Sequence, residues 1–135
     1  MTEKELCDLA VKSMEKSYSP YSGYCVGAAL LTVGGKVYTG CNIENSAFSP
    51  TVCAERTAIF KAVSEGERDF TAIAVAGGKN GIIEGAFPPC GVCRQVMSEF
   101  CKPDFKVLLV TGRESYEEYT LKEILPLAFN VPLDR

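Results

Sequence analysis

Three cysteines and one glutamate stand where their types and spacing can do chemistry together: Cys53 and Glu55 in Cys53-Ala54-Glu55-Arg56, and Cys90 and Cys93 in Pro89-Cys90-Gly91-Val92-Cys93. A CxxC pair by itself has three common readings: half of a structural zinc site, a thioredoxin-like redox pair, or part of a catalytic metal site. A structural site of four cysteines normally brings a second close pair, and no other CxxC is present. A redox pair leaves Cys53 and Glu55 without a role. With Cys53 as a third thiolate, tetrahedral zinc keeps one open position, where water falls to a pKa of about 7. Residues two apart on a helix do not face each other, so Glu55 is read as a proton shuttle to that water rather than as a ligand beside Cys53. Zinc with three thiolates carries a formal charge of about −1, 2 minus 3, which Arg56 and two helix N-termini are placed to offset. Alone, Glu55 would read as a carboxylate complementing a helix dipole, and Arg56 almost as well as a solvated arginine.

The rest of the composition narrows the chemistry. The chain has no histidine, which removes Ser-His-Asp and Cys-His nucleophile pairs and histidine general bases together. Net charge is −3 and the pI is about 5.0, with no run of Lys and Arg that could follow a phosphate backbone. A small neutral substrate fits better than nucleic acid. The seven cysteines form an odd set, and the polar start Met1-Thr2-Glu3-Lys4-Glu5 has no signal-peptide character, so a disulfide framework is not expected and a cytoplasmic location is. Cys7, Cys25, Cys41 and Cys101 read as small buried hydrophobes. No stretch approaches the about 20 apolar residues that a bilayer crossing needs.

The elements that must position these residues follow from periodicity. Thr2 with Glu5 forms a capping box ahead of Leu6, Leu9, Ala10 and Met14, predicting a helix from Glu3 to about Ser17. Cys25 to Thr32 and Lys36 to Cys41 predict strands joined across Gly34-Gly35, a dipeptide suited to positive φ in a tight hairpin. A helix is expected from Cys53 to near Gly66, a strand over Thr71 to Ala76 closed by Gly77-Gly78, a helix over Cys90 to Phe100, a strand over Phe105 to Thr111, and a last helix near Thr120 to Leu125. This order predicts a single domain over 1–135, one sheet covered by helices in an α/β sandwich. The turn-rich segment Gly77 to Pro89 reads as a loop shaping the site.

Cys53-x-Glu55 followed by Pro89-Cys90-x-x-Cys93 resembles the signature of the zinc nucleoside deaminases. Ser19-Pro20-Tyr21-Ser22, Val26-Gly27-Ala28-Ala29-Leu30, Gly40-Cys41-Asn42-Ile43-Glu44-Asn45 and Cys53-Ala54-Glu55-Arg56-Thr57-Ala58 are similar to the small homotetrameric cytidine deaminases, and the likeness runs from about Leu6 to Phe129. The resemblance implies a three-layer α/β/α sandwich with a mixed central sheet and one Zn2+ per subunit. It implies pyrimidine salvage: hydroxide on zinc attacks C4 of cytidine or 2'-deoxycytidine while Glu55 moves the protons, giving the uridine and ammonia. It further implies that Asn42 and Glu44 hold the ribose 3'-hydroxyl, that the backbone at Ala54 fixes the 2-oxo group, that Tyr24 lines the pyrimidine pocket, and that Phe129 reaches a neighbouring subunit's site. From residue type alone Asn42 also fits a turn, and both aromatics fit core packing. The sequence departs from the family at Tyr24-Cys25, often Phe-Pro, and at Phe48, often Tyr. Two rivals remain at this level: a deaminase of the same fold acting on another aminated base or on a nucleic acid, the latter disfavoured by the acidic balance, and a structural zinc module closed by Cys41 or Cys101.

Overall fold

A computed structural model describes residues 1–132. Helix α1 (Glu3–Ser13) opens on the expected Thr2/Glu5 capping box and continues into a single 3-10 turn, Met14–Lys16. Strands β1 (Tyr24–Thr32) and β2 (Val37–Cys41) follow, then α2 (Ala54–Ser64), β3 (Phe70–Lys79), α3 (Gly91–Phe100), β4 (Lys106–Val110), β5 (Tyr116–Thr120) and α4 (Leu121–Ile124). The strands form one sheet in the order β2-β1-β3-β4-β5. Only β3 and β4 run parallel, joined by the crossover helix α3, and the other neighbours are antiparallel. No helix of the described residues is long and apolar enough to cross a membrane.

Side chains alternate across the sheet, so each face meets its own helices. On one face Leu6, Cys7 and Ala10 of α1, with Met14 of the 3-10 turn, pack on Ala29, Ala74, Ala76 and Leu108. On the other, Ala58, Ile59 and Ala62 of α2 and Cys93 and Met97 of α3 pack on Leu30, Ile73, Val75 and Val107. The three-layer α/β/α sandwich with a mixed sheet is therefore present. Two glycines set the helix spacing. A Cβ on Gly27 would run into the Ala10 carbonyl of α1, and one on Gly40 would lie 2.6 Å from both the Ala54 carbonyl and the Ala58 nitrogen of α2.

Four local expectations differ from the structure. The first helix leaves α geometry at Ser13, and Ser17 adopts extended backbone that lets its hydroxyl reach Asn42. The β1–β2 connection places only Gly35 at positive φ, with Thr32 and Lys36 closing the turn, so the loop is longer than a two-residue hairpin. Strand β3 does not stop at Gly77-Gly78 but runs through them to Lys79, because the returning loop crosses the strand there: a Cβ on Gly77 would sit 2.8 Å from the Phe87 ring. Strand β5 was not expected, since Tyr116-Glu117-Glu118-Tyr119-Thr120 carries charge where an inner strand would be apolar. It lies at the sheet edge, where exposed Glu117 and Glu118 discourage pairing with other chains.

Because the backbone of α2 rests directly on Gly40, Gly40→Ala is expected to lower the unfolding free energy by about 2 kcal/mol through overpacking. Urea denaturation checks this, and a loss below about 0.5 kcal/mol would show that the helix can step back without cost.

Candidate active site

The sulfurs converge because two helices begin at the same place. Cys53 is the N-cap of α2 and Cys90 the N-cap of α3, both in extended backbone, with Cys93 one turn into α3. The Cys53 and Cys90 Sγ atoms are 3.6 Å apart, and all three sulfurs lie within 4.8 Å of one another. Sulfurs about 2.3 Å from a single tetrahedral zinc would be roughly 3.8 Å apart, so this set fits the ion. No fourth cysteine joins the cluster among the described residues: Cys41 Sγ instead reaches the Lys16 carbonyl, and Cys101 lies at the C-terminal end of α3. That removes the closed four-cysteine module.

Local electrostatics favour charge on sulfur. The Cys90 sulfur accepts the Cys93 N–H, and Arg56 Nη2 donates to Cys53 Sγ at 3.4 Å. A hydrogen bond from Cys93, with further ones from Arg56 and Cys90, pulls the Cys53 thiol down to about 5, while Cys93, bonded to Cys53 and buried, is pushed up. Arg56 faces Cys53 and Cys93, and its buried Nε lacks a hydrogen-bond partner among the described residues. The guanidinium is therefore a sulfur-facing group rather than a solvated one.

Glu55, in the first turn of α2, is 3% exposed. Loss of hydration, reinforced by the charge at Cys53, pushes its carboxyl up to about 7. A carboxyl at that value both takes and gives protons at neutral pH, which suits the shuttle. Ala54, between Cys53 and Glu55, is fully buried as the first residue of α2.

A second group surrounds the start of β1. Asn42 is buried, its Oδ1 accepting from Val26 N–H at 3.0 Å and from the Ser17 hydroxyl at 2.5 Å, its Nδ2 donating to the Tyr24 carbonyl at 2.8 Å. Glu44 accepts from the N–H groups of Tyr21 and Ser22 and from the Ser22 hydroxyl, and these bonds lower its pKa. Tyr21, Ser22, Glu44, Phe48 and Thr51 line a cavity of about 370 Å³. Tyr24, 42% exposed, packs its ring 5.7 Å from that of Phe87, and Phe87 leads through Pro88-Pro89 into Cys90. That contact links the two groups. Phe48 sits at φ 63 with its ring edge-on to Tyr21, so the hydroxyl missing here leaves an apolar contact in place. Phe129 stands apart, its ring 72% exposed while its carbonyl accepts from Gln95 of α3.

Sequence reasoning passed over Ser17, Ser22, Lys79 and Phe87. Ser22 was visible inside Ser19-Pro20-Tyr21-Ser22, but nothing in the spacing shows its hydroxyl turned onto Glu44. Lys79 carried no signal, because it becomes a neighbour of Tyr24 only through the β1–β3 register.

Comparison with known proteins agrees with this geometry. A family model described as the cytidine and deoxycytidylate deaminase zinc-binding region matches residues 1–109. The chain is 49% identical over 130 residues to a cytidine deaminase of Sporosarcina psychrophila, covering 96% of this chain and 93% of that one. It is 48% identical over 129 residues to a cytidine deaminase of Halalkalibacterium halodurans, covering 96% and 95%. A crystal structure of cytidine deaminase from Burkholderia pseudomallei superposes with a TM-score of 0.88 at 44% identity, over 96% of this chain and all of the other.

The raised Glu55 value fixes the sign of a pH effect in metal-free protein. A carboxyl whose folded pKa of about 7 exceeds its ordinary 4.5 stabilises the fold fully below the lower value and loses that contribution as pH rises through the upper. Relative to wild type, Glu55→Gln is therefore expected to gain about 2–3 kcal/mol between pH 5 and pH 8. Denaturant titrations with chelator and reductant measure this, and a pH-independent difference would contradict the buried carboxyl.

Proposed function

The chain belongs to the family of zinc-binding cytidine and deoxycytidylate deaminases, and from that premise we propose that it converts cytidine and 2'-deoxycytidine with water to uridine or 2'-deoxyuridine and ammonia. The observation that carries this reading is a buried glutamate beside three sulfurs gathered on two helix N-termini. Cys53, Cys90 and Cys93 hold zinc, whose Lewis acidity brings the pKa of water to about 7. Glu55 takes a proton from the attacking water and passes it to N3 of the base as C4 becomes tetrahedral. It then takes the proton of the new C4 hydroxyl and delivers it to the amino group, which leaves as ammonia as the 4-oxo group forms, so one carboxyl serves as base and then as acid. Arg56 offsets the excess negative charge of the sulfurs.

The substrate is held by the second group. Asn42 and Glu44 take the ribose 3'-hydroxyl, which leaves the 2' position open to either sugar. Tyr24 lines the pyrimidine pocket, and the backbone at Ala54, at a helix start where N–H groups lack intrahelical partners, holds the 2-oxo group. The protein acts as one catalytic domain in a homotetramer, with Phe129 completing a neighbour's site; the exposed Phe129 supports this, as do the exposed Tyr21 and Phe48 that line the cavity. Its place is cytoplasmic pyrimidine salvage, and seven free cysteines suit a reducing compartment.

Glu55→Gln keeps the shape of the site and removes the exchangeable acid. Zinc content measured by elemental analysis is expected to stay near one per chain while kcat on cytidine falls at least about 100-fold. Undiminished turnover would take Glu55 out of the mechanism.

A further inference from the structure

The sugar-binding pair has a hydrogen-bond inventory that can be counted. An ionised carboxylate has about four acceptor positions. In Glu44 the two on Oε1 are filled by the N–H groups of Tyr21, at 2.9 Å, and Ser22, at 3.1 Å. One on Oε2 is filled by the Ser22 hydroxyl at 2.5 Å. In Asn42 both Oδ1 positions are filled, by Val26 N–H and the Ser17 hydroxyl, and one Nδ2 hydrogen goes to the Tyr24 carbonyl. One acceptor on Glu44 and one donor on Asn42 are left over. A single hydroxyl, which donates once and accepts, complements that pair.

Ser22 decides where the free acceptor points. Its oxygen accepts the Tyr24 N–H at 3.0 Å, which commits the hydroxyl proton to Glu44 Oε2. Its carbonyl accepts Lys79 Nζ at 2.7 Å, and that ammonium lies 5.1 Å from the centre of the Tyr24 ring. One residue therefore ties the carboxylate of the sugar pair to the aromatic wall of the base pocket. We propose that Ser22 is the positioning residue of the sugar subsite, holding the Glu44 carboxylate so that its one remaining acceptor meets the 3'-hydroxyl. This rests on the ribose role given to Glu44 and Asn42 above.

The test compares cytidine with 3'-deoxycytidine as substrates for wild type, Ser22→Ala, Ser22→Cys and Glu44→Gln. A hydrogen bond to a charged group predicts that Ser22→Ala raises KM for cytidine about tenfold with kcat within about twofold, while kcat/KM for 3'-deoxycytidine changes less than about twofold. Ser22→Cys, similar in shape and a weaker donor, should show the same split at smaller amplitude and serves if the alanine variant folds poorly. Equal losses on both substrates, or a loss in kcat alone, would make Ser22 merely structural and overturn the proposal. Glu44→Gln separates the two levels. If it discriminates between the substrates and the Ser22 variants do not, only the positioning role fails; if it does not discriminate, the sugar role of Glu44 fails first.

Discussion

Negative charge must be gathered at one point and still be tolerable there: this constraint shapes everything around the sulfurs. Three thiolates within 4.8 Å of one another repel, and a carboxyl that is 3% exposed stands in the first turn of the same helix. Several features answer that repulsion at once. Cys53 and Cys90 occupy the N-cap positions of two helices, where free N–H groups and aligned peptide dipoles offer positive potential. Arg56 brings a full positive charge against Cys53 and Cys93. Glu55, stripped of water by burial and facing the charge at Cys53, holds its proton to about 7. A group placed at the edge of ionisation in this way is one that can pass a proton in either direction.

The sheet supplies the rigidity that such crowding requires. Helix α2 lies on Gly40 closely enough that no side chain fits between, and α3 is carried across the sheet by the parallel pair β3 and β4. Arg94, in α3 directly after Cys93, donates to the carbonyl of Pro89 and to that of Ile124, pinning the approach to Cys90 and the end of α4 to one helix. A displacement of α3 would thus move two of the three sulfurs together. The metal centre is built from elements whose positions are fixed by core packing, not by loop conformation.

Legibility in the sequence follows from this division. Cys53, Glu55, Cys90 and Cys93 could be found because their chemistry is local: two short motifs, each at a helix start marked by its own periodicity. One sheet covered by helices was legible for the same reason, since the apolar runs of β1 and β3 and the spacing of α1 to α3 are short-range patterns, whereas the three layers followed from the family resemblance. What escaped is what depends on register and crossing. Gly77 and Gly78 look like a strand end until Phe87 and the loop carrying it are seen crossing them. Charged β5 makes sense only as an edge. Ser17 carried the periodicity of α1, yet the helix stops short so that its hydroxyl reaches Asn42.

The group proposed to hold the sugar obeys a different economy from the sulfur cluster. Its members are polar side chains around the β1 entry, held by backbone donors and by two serine hydroxyls rather than by hydrophobic packing. Hydrogen bonds of this kind fix direction at little net gain in stability, whereas leaving a buried partner unmade is costly. Asn42 in particular joins Val26 N–H and the Tyr24 carbonyl, two points of β1, so the residues proposed to meet the sugar and the base share one rigid edge. The Tyr24–Phe87 contact then leads through two prolines to Cys90. A nucleoside seated at both ends would be registered against the sulfur cluster through that one ring contact and a covalent path in which only two prolines separate Phe87 from Cys90.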